Sequence, residues 1–101
     1  MRVIIMFDLP TLTVQNRRDY IHFRKYLIEN GFFMMQESVY CKLAQNATAA
    51  NTIIANVKKN KPEVGLVQAL KVTEKQYASI EFIVGSSKSE VLSSDERLVI
   101  L

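Results

Sequence analysis

Residues 2 to 7 read Arg-Val-Ile-Ile-Met-Phe, an apolar, β-branched run with no polar face, and Asp8-Leu9-Pro10 stops it. A run of that kind suits a central strand covered on both sides, in the middle of a sheet. Pro10 cannot continue a hydrogen-bonded ladder, and it restricts Leu9 as well. The strand is therefore expected to end at an acidic residue and open into a loop.

The rest of the chain supplies the layers that such a strand needs. Thr13 suits a helix N-cap. A helical pattern runs from Val14 to Asn30, with Tyr20, Phe23 and Leu27 on one face, Ile21 and Ile28 flanking it, and Gly31 as its stop. Residues 32–43 are strand-like, with Val39, Cys41 and Leu43 alternating against Ser38, Tyr40 and Lys42. That is long for one strand, and Gln36-Glu37-Ser38 could split it; periodicity leaves both readings open. A second helix is expected over Asn46 to Lys61, capped by Asn46 or Thr48. Its inner face is Ala50, Ile53, Ile54 and Val57, and Pro62 lies beyond its end. A strand from Gly65 to Thr73, one helical turn to Ala78 and another strand from Ile80 to Val84 follow.

This order gives an α+β chain, with two helices on one face of a four-stranded sheet. It is the ferredoxin-like βαββαβ sandwich, with an additional C-terminal strand. Residues 1–85 form the body and residues 86–101 an extension of the same domain. The tail Leu98-Val99-Ile100-Leu101 is apolar and would be a sticky edge if left unpaired. It must add to a sheet edge of its own subunit or of a second copy, and exchange within a homodimer is the expectation.

Composition narrows the setting. With 101 residues, 49% hydrophobic and 23% charged, the chain has the size and balance of one globular domain. No apolar run approaches the roughly 20 residues of a membrane span, and the opening segment reads as a strand and not a signal peptide. The single cysteine, Cys41, excludes an internal disulfide, so a cytoplasmic location is expected. A net charge of +3 and a pI of about 9.1 permit an anionic partner without demanding one.

Asp8 is the leading candidate for chemistry. A carboxylate at the end of a buried strand can point off the sheet. Mg²⁺ binds through one or two carboxylates together with waters and phosphate oxygens. Position alone favours a plainer role, in which Asp8 caps the loop backbone. Two copies of Asp8 brought together by a twofold axis could hold a metal against a phosphate. Arg17, Arg18, Arg24 and Lys25 lie on the first helix at seven-residue spacing, a pattern that suits either a phosphate backbone or a solvated face. Lys58, Lys59 and Lys61 read as complements to the second helix dipole. His22 reads as a partly exposed helix residue. Ser38, Tyr40 and Cys41 do not form a nucleophile set. There is no zinc spacing, phosphate-cradling glycine loop or Ser-His-Asp order.

An aspartate-ended first strand, an arginine-bearing helix closing in Asn30-Gly31-Phe32, and then Gln36-Glu37-Ser38-Val39-Tyr40 together resemble the small CRISPR-associated Cas-Two family. The likeness covers nearly the whole chain, and Asp8-Leu9-Pro10 with the long tail is closer to the variant of type II systems. The resemblance implies a ferredoxin-like homodimer that bridges integrase dimers and holds duplex DNA during spacer acquisition. It also implies metal-dependent endonuclease activity on RNA or DNA, with Asp8 as the catalytic residue and ligand of Mg²⁺ or Mn²⁺. Arg17 and Arg18 would contact nucleic acid, and the tail would pair with the partner subunit and could dock the integrase. Many members carry Tyr before the aspartate where this chain has Phe7, which removes a hydroxyl that could steady the carboxylate. Apart from the resemblance, the same residues fit a ferredoxin-like regulatory module that binds a small ligand between subunits.

Overall fold

A computed structural model describes residues 1–86. The expected tail strand Leu98–Leu101 and nearly all of the C-terminal extension lie outside the described residues. Seven elements follow in order: β1 (Arg2–Asp8), α1 (Val14–Glu29), β2 (Phe33–Gln36), β3 (Val39–Leu43), α2 (Ala47–Lys59), β4 (Leu66–Val72) and α3 (Glu74–Ala78). The sheet order is β2-β3-β1-β4, and every neighbouring pair is antiparallel. This is the ferredoxin-like arrangement that the element order predicts. β1 takes an inner position because both of its ladders can be filled and both of its faces are apolar.

Alternation along β1 sorts the faces. Val3, Ile5 and Phe7 point to the helices and join Phe23, Leu27, Tyr40, Ala50 and Val57 in the core. Leu27 is fully buried, and truncating such a side chain typically costs about 2–5 kcal/mol. Phe7 is the hub of an aromatic cluster. It meets Phe23 edge-on at 5.2 Å and stacks on Tyr40 at 5.7 Å between ring centroids.

The helix ends follow the capping signals. The Thr13 hydroxyl accepts from the Asn16 N–H at 3.0 Å, and the Asn16 side chain accepts from the Thr13 N–H at 3.3 Å. Gly31 takes φ +88° just past α1, and Phe32 N–H returns to the Leu27 carbonyl at 3.0 Å. Lys42 Nζ donates to the Asn30 carbonyl at 2.7 Å, which places a cation at the negative end of α1. Asn46, rather than Thr48, caps α2.

Three expectations need revision or a decision. The stretch 32–43 is two strands, joined by a turn at Glu37-Ser38 in which Ser38 adopts φ 64°. Ile21 and Ile28 do not border the buried face of α1; they are 64% and 48% exposed. At 100° per residue Ile21 falls opposite the line through Phe23 and Leu27, and Ile28 falls beside Ile21. The strand expected at Ile80–Val84 is not formed in the single subunit, where Ile83 and Val84 are 93% and 91% exposed. β-branched residues make a strand only where a ladder partner is in reach.

Candidate functional site

Asp8 is the last residue of β1, in register with Leu66 of β4. Alternation puts it on the sheet face away from α1 and α2, on the same side as Ile4 and Met6. Its side chain is exposed. Two contacts fix the backbone around it. Phe7 N–H donates to the Ser38 carbonyl at 2.9 Å, which ties the end of β1 to the β2–β3 turn. On the other side Gly65, at φ +102°, packs against Asp8 and Leu9.

Among the described residues, no hydrogen bond or ion pair engages the Asp8 carboxylate, and no group of three His, Cys, Asp or Glu side chains could hold a metal ion. One subunit therefore offers a hard cation a single carboxylate. That fits a magnesium-type ion, which keeps most of its waters and takes one or two carboxylates along with phosphate oxygens. It does not fit a closed structural site.

The four cations of α1 have different surroundings. Arg17 Nη1 donates to the Thr11 and Leu12 carbonyls at 3.2 and 3.4 Å, so this side chain steadies the loop that follows Asp8. Arg18 is exposed, and no hydrogen bond or ion pair to it is found among the described residues. Lys25 lies 3.8 Å from Glu29 in an exposed pair of little energetic weight. Arg24 Nε donates to the Tyr40 hydroxyl at 2.9 Å. Arg24 thus satisfies a phenol whose residue is only 1% exposed, and its planar fork is held in place.

Arg24 and Tyr40 also belong to a cleft of about 470 Å³ between α1 and the β2–β3 turn, completed by Tyr20, Met34, Glu37 and Ser38. The sequence marks Arg24 as a candidate phosphate contact on α1 and gives Tyr40 no partner. What the sequence does not mark is the pairing of a turn at residues 37–38 with an arginine nearly three helical turns into α1. His22 is exposed on α1, as expected, beside a separate shallow groove.

The sheet face opposite α1 and α2 carries exposed Leu43, Leu66 and Leu70 around buried Ile4 and Cys41. Burial pushes the Cys41 thiol pKa up, and nearby Arg2 pulls against that shift. At the start of β1, Arg2 Nε donates to both Glu74 carboxylate oxygens, at 3.1 and 3.0 Å, and its guanidinium lies 3.8 Å from the Tyr77 ring centroid. This clasp fixes α3. The segment beyond α3 then runs to the β2 edge, where Phe82 and Ile83 share a cleft with Phe33 and Met35.

Fold and site together define a small ferredoxin-like α+β protein that presents one free carboxylate at the end of an inner strand. The family model for CRISPR associated protein Cas2 matches residues 1–80, and the chain belongs to that family. It is 57% identical over 101 residues to the CRISPR-associated endoribonuclease Cas2 of Treponema denticola, covering 100% of both chains. It is 46% identical to the protein of the same name from Streptococcus mutans serotype c (strain ATCC 700610 / UA159), covering 100% of this chain and 93% of the other. Among solved structures, Streptococcus pyogenes Cas2 at pH 6.5 superposes with a TM-score of 0.61 at 17% identity, over 84% of this chain and 100% of that one. That likeness supports the fold.

Proposed function

We propose that this chain acts in CRISPR adaptation as a cytoplasmic homodimer that bridges integrase dimers and holds duplex DNA. In this reading its two Asp8 carboxylates form a Mg²⁺- or Mn²⁺-dependent endonuclease centre. The observation that carries the proposal is the position of Asp8, at the end of an inner strand on the sheet face opposite α1 and α2, where Leu66 and Leu70 are exposed. A second copy docking on that face would cover Leu43, Leu66 and Leu70 and bring its own Asp8 toward the first. The names of the relatives favour RNA as the substrate of any cleavage. Among the described residues no helix is long and apolar enough to cross a membrane.

The metal, when bound, would supply charge neutralisation at the scissile phosphate and a more acidic water. The protein's part is to aim Asp8. Gly65 and the Phe7–Ser38 hydrogen bond hold the strand end, and Arg17 holds the loop behind it. Arg18 and Lys25 offer charge to a phosphate backbone without base readout.

The test combines mass in solution, cleavage of single-stranded RNA and of DNA with Mg²⁺, and protospacer integration with the neighbouring integrase. The expected result is a dimer in which Asp8→Ala loses cleavage and keeps DNA binding and integration. A strictly monomeric protein would overturn the paired-carboxylate centre. Loss of integration in a folded Asp8→Ala protein would overturn the adaptor role as independent of catalysis.

A further inference from the structure

We propose that the cleft between α1 and the β2–β3 turn binds one unpaired nucleotide of a single-stranded nucleic acid, with its phosphate on Arg24, its base against Tyr20 and Met34, and its amino edge on Glu37. The proposal rests on the reading of this chain as a nucleic-acid-binding protein.

The chemistry of the lining selects the ligand. A volume of about 470 Å³ lies in the range of small-molecule sites. The Arg24 plane is set by its Nε bond to Tyr40, and no hydrogen bond to its two terminal amino groups is found among the described residues. A preoriented guanidinium fork with free N–H groups is built for a phosphate or carboxylate. Tyr20 is half-buried, and Phe7 braces it edge-on at 6.0 Å and 65°, so its ring is a fixed wall. Met34, also half-buried, adds a soft apolar surface. A fixed aromatic wall beside an arginine is how proteins take single-stranded bases. A base inside a duplex has its faces covered and could not enter.

Glu37 adds selectivity. An ionised carboxylate only accepts hydrogen bonds, so it favours bases with an exocyclic amino group, which adenine, cytosine and guanine have and uracil and thymine lack. Its charge also keeps a bare phosphate from occupying the whole cleft. Ser38 connects the site to the chemistry. It holds φ 64° at the cleft rim, and its carbonyl accepts from the N–H of Phe7, the residue before Asp8. A strand seated in the cleft would thus lie on the α1 side of the end of β1, and would reach the Asp8 carboxylate by rounding that strand end.

The test uses the full chain with methyl-labelled methionine, following the Met34 signal by NMR. AMP and CMP should shift it saturably. UMP should bind more weakly, by up to about tenfold, the worth of one hydrogen bond. Adenosine alone and inorganic phosphate alone should each bind at least about tenfold more weakly than AMP, since each fills half of the site. Arg24→Ala should weaken AMP by a similar factor, and Glu37→Gln should erase the preference over UMP. No saturable Met34 shift in the wild-type protein with AMP at order 10 mM overturns the proposal. A gel shift with a single-stranded oligonucleotide separates the causes of failure. Oligonucleotide binding without a Met34 shift sinks the cleft alone, and absence of both sinks the nucleic-acid reading too. AMP in the cleft of a protein that binds no oligonucleotide overturns the assignment to a strand.

Discussion

Gly65 lies so close to Asp8 that a Cβ on the glycine would fall 2.9 Å from the Asp8 carbonyl oxygen and 2.7 Å from Leu9 Cδ2. The neighbour is backbone and cannot swing aside, and φ +102° is costly for any other residue. Gly65→Ala should therefore destabilise the protein by about 1–3 kcal/mol and displace Asp8. Urea denaturation would show the loss, and metal-dependent cleavage should fall in the protein that stays folded. An unchanged midpoint would mean that the end of β1 is not fixed by this contact.

Asp8→Asn keeps the shape and removes the charge. The side chain is exposed, and among the described residues nothing pairs with it, so stability should move by no more than about 0.5 kcal/mol. Cleavage with Mg²⁺ should disappear while the denaturation midpoint holds. A clear drop in stability would point to a structural, loop-capping carboxylate.

Arg17 and Arg18 are neighbours in sequence with separable roles. Arg18→Glu should weaken duplex binding similarly for all sequences and lower its salt slope by about one, leaving stability alone. Arg17→Ala also releases the Thr11 and Leu12 carbonyls, so it should cost up to about 1 kcal/mol of stability in addition. Salt-dependent binding and denaturation, measured on both variants, separate the two effects.

Acid should loosen α3. The Arg2 guanidinium holds the Glu74 carboxyl below its ordinary value, chiefly through their hydrogen bonds. A depressed folded pKa means that the clasp contributes fully above the unfolded value. Its contribution is lost as pH falls through the lowered folded value. Amide protection in residues 74–78 should decline over that acid window in the wild-type protein. Glu74→Gln should start from the weakened level and show no such decline, and identical profiles would remove the clasp from the account.

Cys41 is completely buried, and its thiol pKa is raised. Thiolate is the reactive form, so the folded protein should react with a disulfide reagent only at the rate of opening. Adding urea through the unfolding transition should restore fast labelling. Rapid labelling of the native protein would mean that the sheet opens locally at β3.

Much of this fold is legible in the sequence because it depends on local signals. The capping box at Thr13, the glycine stop at Gly31 and the apolar run at residues 3–7 of β1 each follow from short-range chemistry, and they set the element order. Asp8 at the end of β1 is likewise readable, since Pro10 forbids the strand to continue.

The tertiary structure decided what depends on neighbours distant in the chain. Whether residues 32–43 make one strand or two was settled by pairing, because Gln36 finds Val39 as its partner across a turn. The residues Ile80–Val84 have strand composition and no ladder, since a strand is a relation between two segments and not a property of one. Arg24 looked like one more surface cation until folding placed its Nε against the Tyr40 hydroxyl, sixteen residues away. Side-chain type is written in the sequence; which hydrogen-bond partner it meets is fixed only when the helix packs on the sheet.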